Sequence, residues 1–148
     1  MTAPPKGQEQ RMTFRLLSYW SRVRAGKAMP SIVDVNISDV PEIYRFTFII
    51  NMEGEEGPEF QYFGSELATT FGQDYSGIPL EEALLDTMVD NTIGFYEKVL
   101  ESKQPHSESS EFFIDGKECR YRSIILPCSS NDFNVDFLIG TTNYKIFD

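Results

Sequence analysis

Side chains that commonly carry chemistry are sparse in this chain: one histidine, His106, and two cysteines, Cys119 and Cys128, among 148 residues. A soft-metal site draws several His or Cys ligands at short spacing, and two cysteines nine positions apart with a single histidine do not supply one. A serine or cysteine nucleophile needs a base beside it, but His106 follows Pro105 in a Ser/Glu-rich stretch and reads as a solvated loop residue. Carboxylates are plentiful. The run Glu53-Gly54-Glu55-Glu56 is a local cluster, yet it reads as a loop tip and lacks the longer alternation of a calcium loop. The glycines fall as turn punctuation, with no phosphate loop or dinucleotide fingerprint. What remains for catalysis is proton transfer by carboxylates and phenols. Asp34, Asp74, Tyr62 and Tyr121 would have to converge in one cavity, as in small cone-shaped α+β isomerases and dehydratases. The competing reading has Asp74 making a turn after Gly72 and the tyrosines packing with their hydroxyls at a rim.

Whatever these residues do, one domain must position them. At 17.0 kDa, with 41% hydrophobic, 24% charged and 14% aromatic residues, the chain can bury a sizeable core without staples. That composition excludes a disordered chain, a coiled coil and a collagen-like repeat. Acidic side chains outnumber basic ones 23 to 13, for a net charge of −10. The excess is uneven. Residues 1–30 hold six basic side chains against the single acid Glu9, so the remainder is strongly negative and would repel a phosphate backbone; no nucleic-acid partner is expected. No apolar run approaches the roughly 20 residues that span a bilayer, and the N-terminal stretch lacks the apolar segment of a secretory signal. With only two cysteines, a reducing, cytoplasmic setting is the expectation.

Patterning orders the elements. Residues 1–12, with Pro4, Pro5 and Gly7, read as a flexible tail, and residues 13–148 as one domain. A helix is expected over 13–25, capped by Thr13 and closed by Gly26. At helical spacing Met12, Leu16, Trp20 and Val23 share one side. That stripe either packs on its own domain or pairs with a second copy, which makes Leu16, Trp20 and Val23 a candidate self-association surface and a homodimer an expected partner state. A strand is expected over 43–50 and another over 60–63, joined through Gly54-Glu55-Glu56-Gly57-Pro58. Ser65 opens a short helix to Phe71 that Gly72 ends. From Leu80 to about Gln104 apolar residues recur at three- and four-residue steps, predicting one long helix or a short one running into a longer one. Strands over 111–114 and 118–126 flank Asp115-Gly116, a favoured hairpin turn, and 135–142 makes a final strand. Hairpins at both ends predict a mostly antiparallel sheet with helices on one face, an α+β fold.

That order, with these sequences in it, resembles the PAS domain family, and most closely a bacterial, often alphaproteobacterial, group of single-domain members. The resemblance is carried by Leu17-Ser18-Tyr19-Trp20, Arg24-Ala25-Gly26, Pro30, Asp34 and Ile37. It continues through Phe60-x-Tyr62-Phe63-Gly64-Ser65-x-Leu67 and Phe71-Gly72-x-Asp74-x-x-Gly77, and ends with Ile125-Leu126-Pro127 and Val135-Asp136-x-Leu138-x-Gly140. It covers about residues 14–144. Ile32 and Gln73 stand where the group commonly has basic residues, which removes the motif for anion binding there.

The resemblance implies a five-stranded antiparallel sheet curved around a small cavity, closed by the middle helices and flanked by the N-terminal helix. It further implies a sensory or protein-interaction module in bacterial signalling that acts on another signalling protein without catalysis of its own. Phe48, Phe71, Phe95 and Ile125 are the expected pocket-lining residues, suited to a small apolar ligand. The family's haem versions use a helix histidine, which His106 does not match. Its flavin photochemistry uses a cysteine in an Asn-Cys-Arg-Phe-type helical segment. Glu118-Cys119-Arg120-Tyr121 lacks the leading Asn and follows a hairpin turn, so Cys119 reads as a packed strand cysteine. No cofactor is therefore expected.

Overall fold

The computed structural model describes residues 4–147, with side chains described from Met12 onward. Helix α1 (Pro4–Val23) leads through short 3-10 turns at Ile32–Asp34, Ile37–Asp39 and Tyr44–Phe46 into strands β1 (Thr47–Asn51) and β2 (Glu59–Phe63). Four short helices follow: α2 (Ser65–Phe71), α3 (Leu80–Ala83), α4 (Thr87–Ile93) and α5 (Tyr96–Ser102). Strands β3 (His106–Ile114), β4 (Lys117–Cys128) and β5 (Phe137–Phe147) complete one sheet of order β2-β1-β5-β4-β3, antiparallel at every pairing. The expected five-stranded antiparallel α+β architecture is the one observed.

Side chains alternate across the sheet and feed two cores. On the inner face Phe48, Ile50, Ile125 and Leu138 meet Leu67, Leu80, Ala83, Val89, Ile93, Phe95 and Val99 from α2–α5. On the outer face Ile124, Leu126, Cys128 and Ile139 meet Leu16, Tyr19 and Trp20 of α1. The sheet is thus sandwiched, with α1 on one side and the short helices on the other.

Several elements differ from expectation. Helix α1 starts at Pro4, so Thr13 lies inside it, buried, rather than at its cap. Pro4 and Pro5 lack only N–H groups that the first turn leaves unbonded anyway, and the following Gln, Glu and Arg are good helix formers. The helix ends at Val23, with Ala25 and Gly26 at positive φ. The stripe Leu16, Trp20 and Val23 packs in the outer core: Leu16 is 0% exposed, and the Trp20 indole N–H donates to the Pro127 carbonyl at 2.7 Å. The chain's own sheet covers Leu16 and Trp20 and satisfies the indole N–H, while Val23 is half-buried.

The strand expected from Ile43 begins only at Thr47. The Ile43 carbonyl accepts from Phe46 N–H and Thr47 Oγ1, winding the intervening residues into a turn that lodges Ile43 under α1. The stretch 80–104, expected as one long helix or a short one running into a longer one, is three helices. The Asp86 side chain accepts from Met88 N–H and so starts a new helix, and a second break falls at Gly94-Phe95. Helix α2 spans the expected Ser65–Phe71, with Gly64 rather than Ser65 in the capping position. The Asp115-Gly116 turn has φ of 51° and 79°, the left-handed pair that tight twisted hairpins require. The last three strands run longer than expected, because pairing continues beyond the apolar stretches into polar residues.

Candidate functional site

The inner face of the sheet carries a chain of touching rings. Phe48 meets Phe60 edge-on at 6.1 Å between centroids, Phe60 meets Phe63 at 5.3 Å, Phe63 meets Phe71 at 5.5 Å and Phe71 meets Tyr144 at 5.5 Å. Tyr144 continues to Tyr121 at 6.3 Å and Tyr121 to Phe112 at 5.8 Å. Alternation places these residues. The pairs Phe48↔Gly140, Ile125↔Gly140 and Tyr121↔Tyr144 align them on one side of β1, β5 and β4. Gly140 makes room: a Cβ there would stand 2.4 Å from the Phe48 ring. The four expected pocket residues meet in this one cluster, with Phe48, Phe95 and Ile125 buried and Phe71 half-buried against them.

Within the apolar cup lies a group of neutral polar side chains. Ser123 Oγ and Thr142 Oγ1, cross-strand partners on β4 and β5, are 2.9 Å apart and essentially inaccessible. Two residues further along the same face, the Tyr144 hydroxyl donates to Thr92 Oγ1 at 3.0 Å, and Tyr121 donates to the Asn91 carbonyl at 2.5 Å. Thr92 in turn donates to the Met88 carbonyl. From the α2–α3 connection the Tyr75 hydroxyl donates to Asp86 Oδ2 at 2.8 Å. Burial raises the pKa of all three phenols. It does so well above the usual value for Tyr144, and, with the Asp86 hydrogen bond added, to about 12 for Tyr75, so they remain donors at neutral pH.

These tyrosines escaped the sequence reading, apart from Tyr121 in another role. The available signal was Asp86, a capping residue inside the apolar periodicity.

The residues considered for proton transfer do not converge. Asp34 is exposed on its 3-10 turn, and Asp74 is exposed with Oδ1 accepting from Ser76 N–H. Tyr62 pairs with Ile49, and its hydroxyl donates to the Tyr44 carbonyl at 2.7 Å. Only Tyr121 faces the cup.

His106 is the first residue of β3 and half-buried, not a loop residue. Its Nε2 is 2.9 Å from Ser102 Oγ, at an open surface hollow of about 350 Å³ lined by Lys98, Glu101, Ser102 and His106. That serine also accepts from Gln104 N–H, and Lys98 is held by Glu108 at 2.9 Å, so the side chains there serve the turn and the edge strand.

Cys119 is fully buried on the inner face of β4 and Cys128 on the outer face; burial pushes both thiols up, Cys128 to about 12. Among the described residues no group of three or more His, Cys, Asp and Glu side chains is placed to hold a metal ion, and no helix is long and apolar enough to cross a membrane.

The charge is distributed unequally around the cup. Residues 51–104, which form the β1–β2 loop and the helices over the inner face, carry twelve of the 23 acidic side chains and two of the 13 basic ones. The net −10 therefore resides there, and the rest of the chain balances.

Residues 8–141 match the family model described as the PAS domain. Among solved structures, one described as showing how a flavin analogue sheds light on the light-oxygen-voltage domain mechanism superposes with a TM-score of 0.54 at 13% identity, over 74% of this chain and 83% of that one. The PAS domain of Bordetella pertussis BvgS gives 0.46 at 13% identity, over 65% and 73%. The N-terminal domain of a diguanylate cyclase with PAS/PAC sensor from Marinobacter aquaeolei gives 0.47 at 18% identity, over 66% and 91%. At 13% identity the likeness to the first of these is one of fold. No curated protein matches the chain.

Proposed function

The chain belongs to the PAS domain family, and from that premise we propose that it is a sensory or protein-interaction module of bacterial signal transduction, without catalysis of its own. It works in the cytoplasm and passes a ligand- or partner-dependent change to another signalling protein. One observation carries this reading. Strands β4 and β5 bear the aromatic cup on one face and α1 on the other, through residues that alternate one by one: Ile125 and Leu138 inside, Ile124 and Ile139 outside. A shift of inner packing therefore has a path of one backbone thickness to the terminal helix. Phe48, Phe71, Phe95 and Ile125 form the wall that a small apolar occupant would meet. The two unpaired, buried thiols accord with a reducing compartment.

Absorption spectroscopy and native mass spectrometry of the purified full chain test the proposal. A bound small molecule supports a ligand sensor, and a colourless protein of bare chain mass that captures a signalling protein supports an interaction module. Turnover of enones or thioesters, lost on Tyr121→Phe, would replace the reading with an enzyme.

A further inference from the structure

We propose that α4 is a lid closed by three tyrosine hydroxyls, opening as a unit ahead of the rest of the domain. The helix has seven residues, with chain breaks on both sides at Leu84–Asp86 and Gly94-Phe95. An isolated helix of this length does not persist in water, so its position comes from what it touches. Its apolar hold rests chiefly on Val89 and Ile93, both buried in the inner core. The remaining hold is polar and reaches α4 from three elements: Tyr75 to the cap carboxylate Asp86, Tyr121 of β4 to the Asn91 carbonyl, and Tyr144 of β5 to Thr92. Each ring belongs to the packed aromatic cluster, so the hydroxyls mark the seam between a fixed cup and a separable helix.

A polar seam separates more easily than an apolar one, because each broken hydrogen bond is replaced by one to water, at modest net cost. Opening exposes the neutral hydroxyls of Tyr121, Ser123, Thr142 and Tyr144, set side by side on β4 and β5. The register pairs Tyr121↔Tyr144 and Ser123↔Thr142 are neutral, and the charged residue on the adjoining strand, Glu108 opposite Ser123, is ion-paired with Lys98 at 2.9 Å. An occupant admitted by the lid would therefore be uncharged, with an apolar body and a hydroxyl or carbonyl to meet the floor. This last step rests on the sensor reading; the lid itself does not.

Amide hydrogen exchange on the unliganded full chain tests the lid. In the parent protein the amides of residues 90–94 should exchange faster than those of the β4–β5 core, through a sub-global opening. Tyr121→Phe and Tyr144→Phe, which keep the rings, should each raise exchange across α4 roughly five- to tenfold while leaving the sheet core unchanged. Tyr62→Phe removes a hydroxyl bond of similar length on the other face and should leave α4 exchange as it was. The proposal is overturned if α4 and the sheet core exchange together through global unfolding, or if Tyr62→Phe accelerates α4 as much as the inner-face variants do. Because no ligand is present, its failure would leave the sensor proposal standing, and the absence of any ligand would leave the lid standing.

Discussion

Ile124 and Ile125 are consecutive in β4 and belong to different cores: Ile124 lies beneath α1, and Ile125 stands in the aromatic cup, each almost wholly buried. The chain has one tryptophan, Trp20, and it packs in the Ile124 core. It is therefore a built-in reporter on the far side of the sheet. Ile125→Val removes one methyl group from the inner core and should cost about 0.5–1.5 kcal/mol of stability. It should also change the emission intensity of Trp20 under fully folding conditions. An unaltered spectrum with lowered stability would mean that the two faces are uncoupled.

Trp20 closes the outer core and satisfies the Pro127 carbonyl. Trp20→Ala should cost about 3–5 kcal/mol by urea denaturation, as large aromatic truncations in cores do. Trp20→Glu should lose cooperative unfolding in circular dichroism rather than yield a well-folded chain of altered mass. A folded Trp20→Glu monomer derived from a dimeric parent would establish the self-association surface.

Gly140 stands under the Phe48 ring, where an added Cβ would come within 2.4 Å. Gly140→Ala should lower stability by about 1–3 kcal/mol through overpacking, read as a reduced Tm. Gly140→Ala combined with Phe48→Leu should cost less than the sum of the two single changes, since the smaller side chain relieves the ring contact while the Ile124 carbonyl, 2.6 Å from the added Cβ, stays in place.

Alkaline pH should destabilise the fold. Burial lifts Cys128 from 9.0 to about 12, and burial with the Asp86 hydrogen bond lifts Tyr75 from 10.0 to about 12. Both folded values exceed the unfolded ones. The unfolded chain therefore loses protons first as pH rises, and stability that is complete below pH 9 falls between 9 and 12. Urea midpoints at pH 8, 10 and 11 should decline, and Cys128→Ala should flatten the decline. A flat profile in the parent would contradict the burial of both groups.

The elements legible in the sequence are those whose signals are local. Gly72 with φ of 79° ends α2, and Asp115-Gly116 sets the β3–β4 turn, because only a few residue types adopt such backbone angles cheaply. The apolar periodicity of residues 80–104 was equally visible but underdetermined. Three short helices bury the same apolar residues as one long helix, and Asp86, which decides between them, acts through a side chain that competes with the backbone. For the candidate site, Phe48, Phe71, Phe95 and Ile125 were readable as an apolar set. The three hydroxyls that hold α4 were not, since their partners lie from 11 to 52 positions away in sequence.

Composition, turn residues and alternation by themselves determined an antiparallel sheet with helices, a strongly acidic body and the absence of a motif for metal or phosphate. Only the tertiary structure decided that Trp20 belongs to the chain's own outer core, that the acidic excess gathers over the cup, and that α4 is held by polar contacts. The physical reason is range. Backbone preference acts over a few residues, whereas a side chain's partner depends on strand register and on which face the pleat presents, and these are settled only when the whole sheet closes.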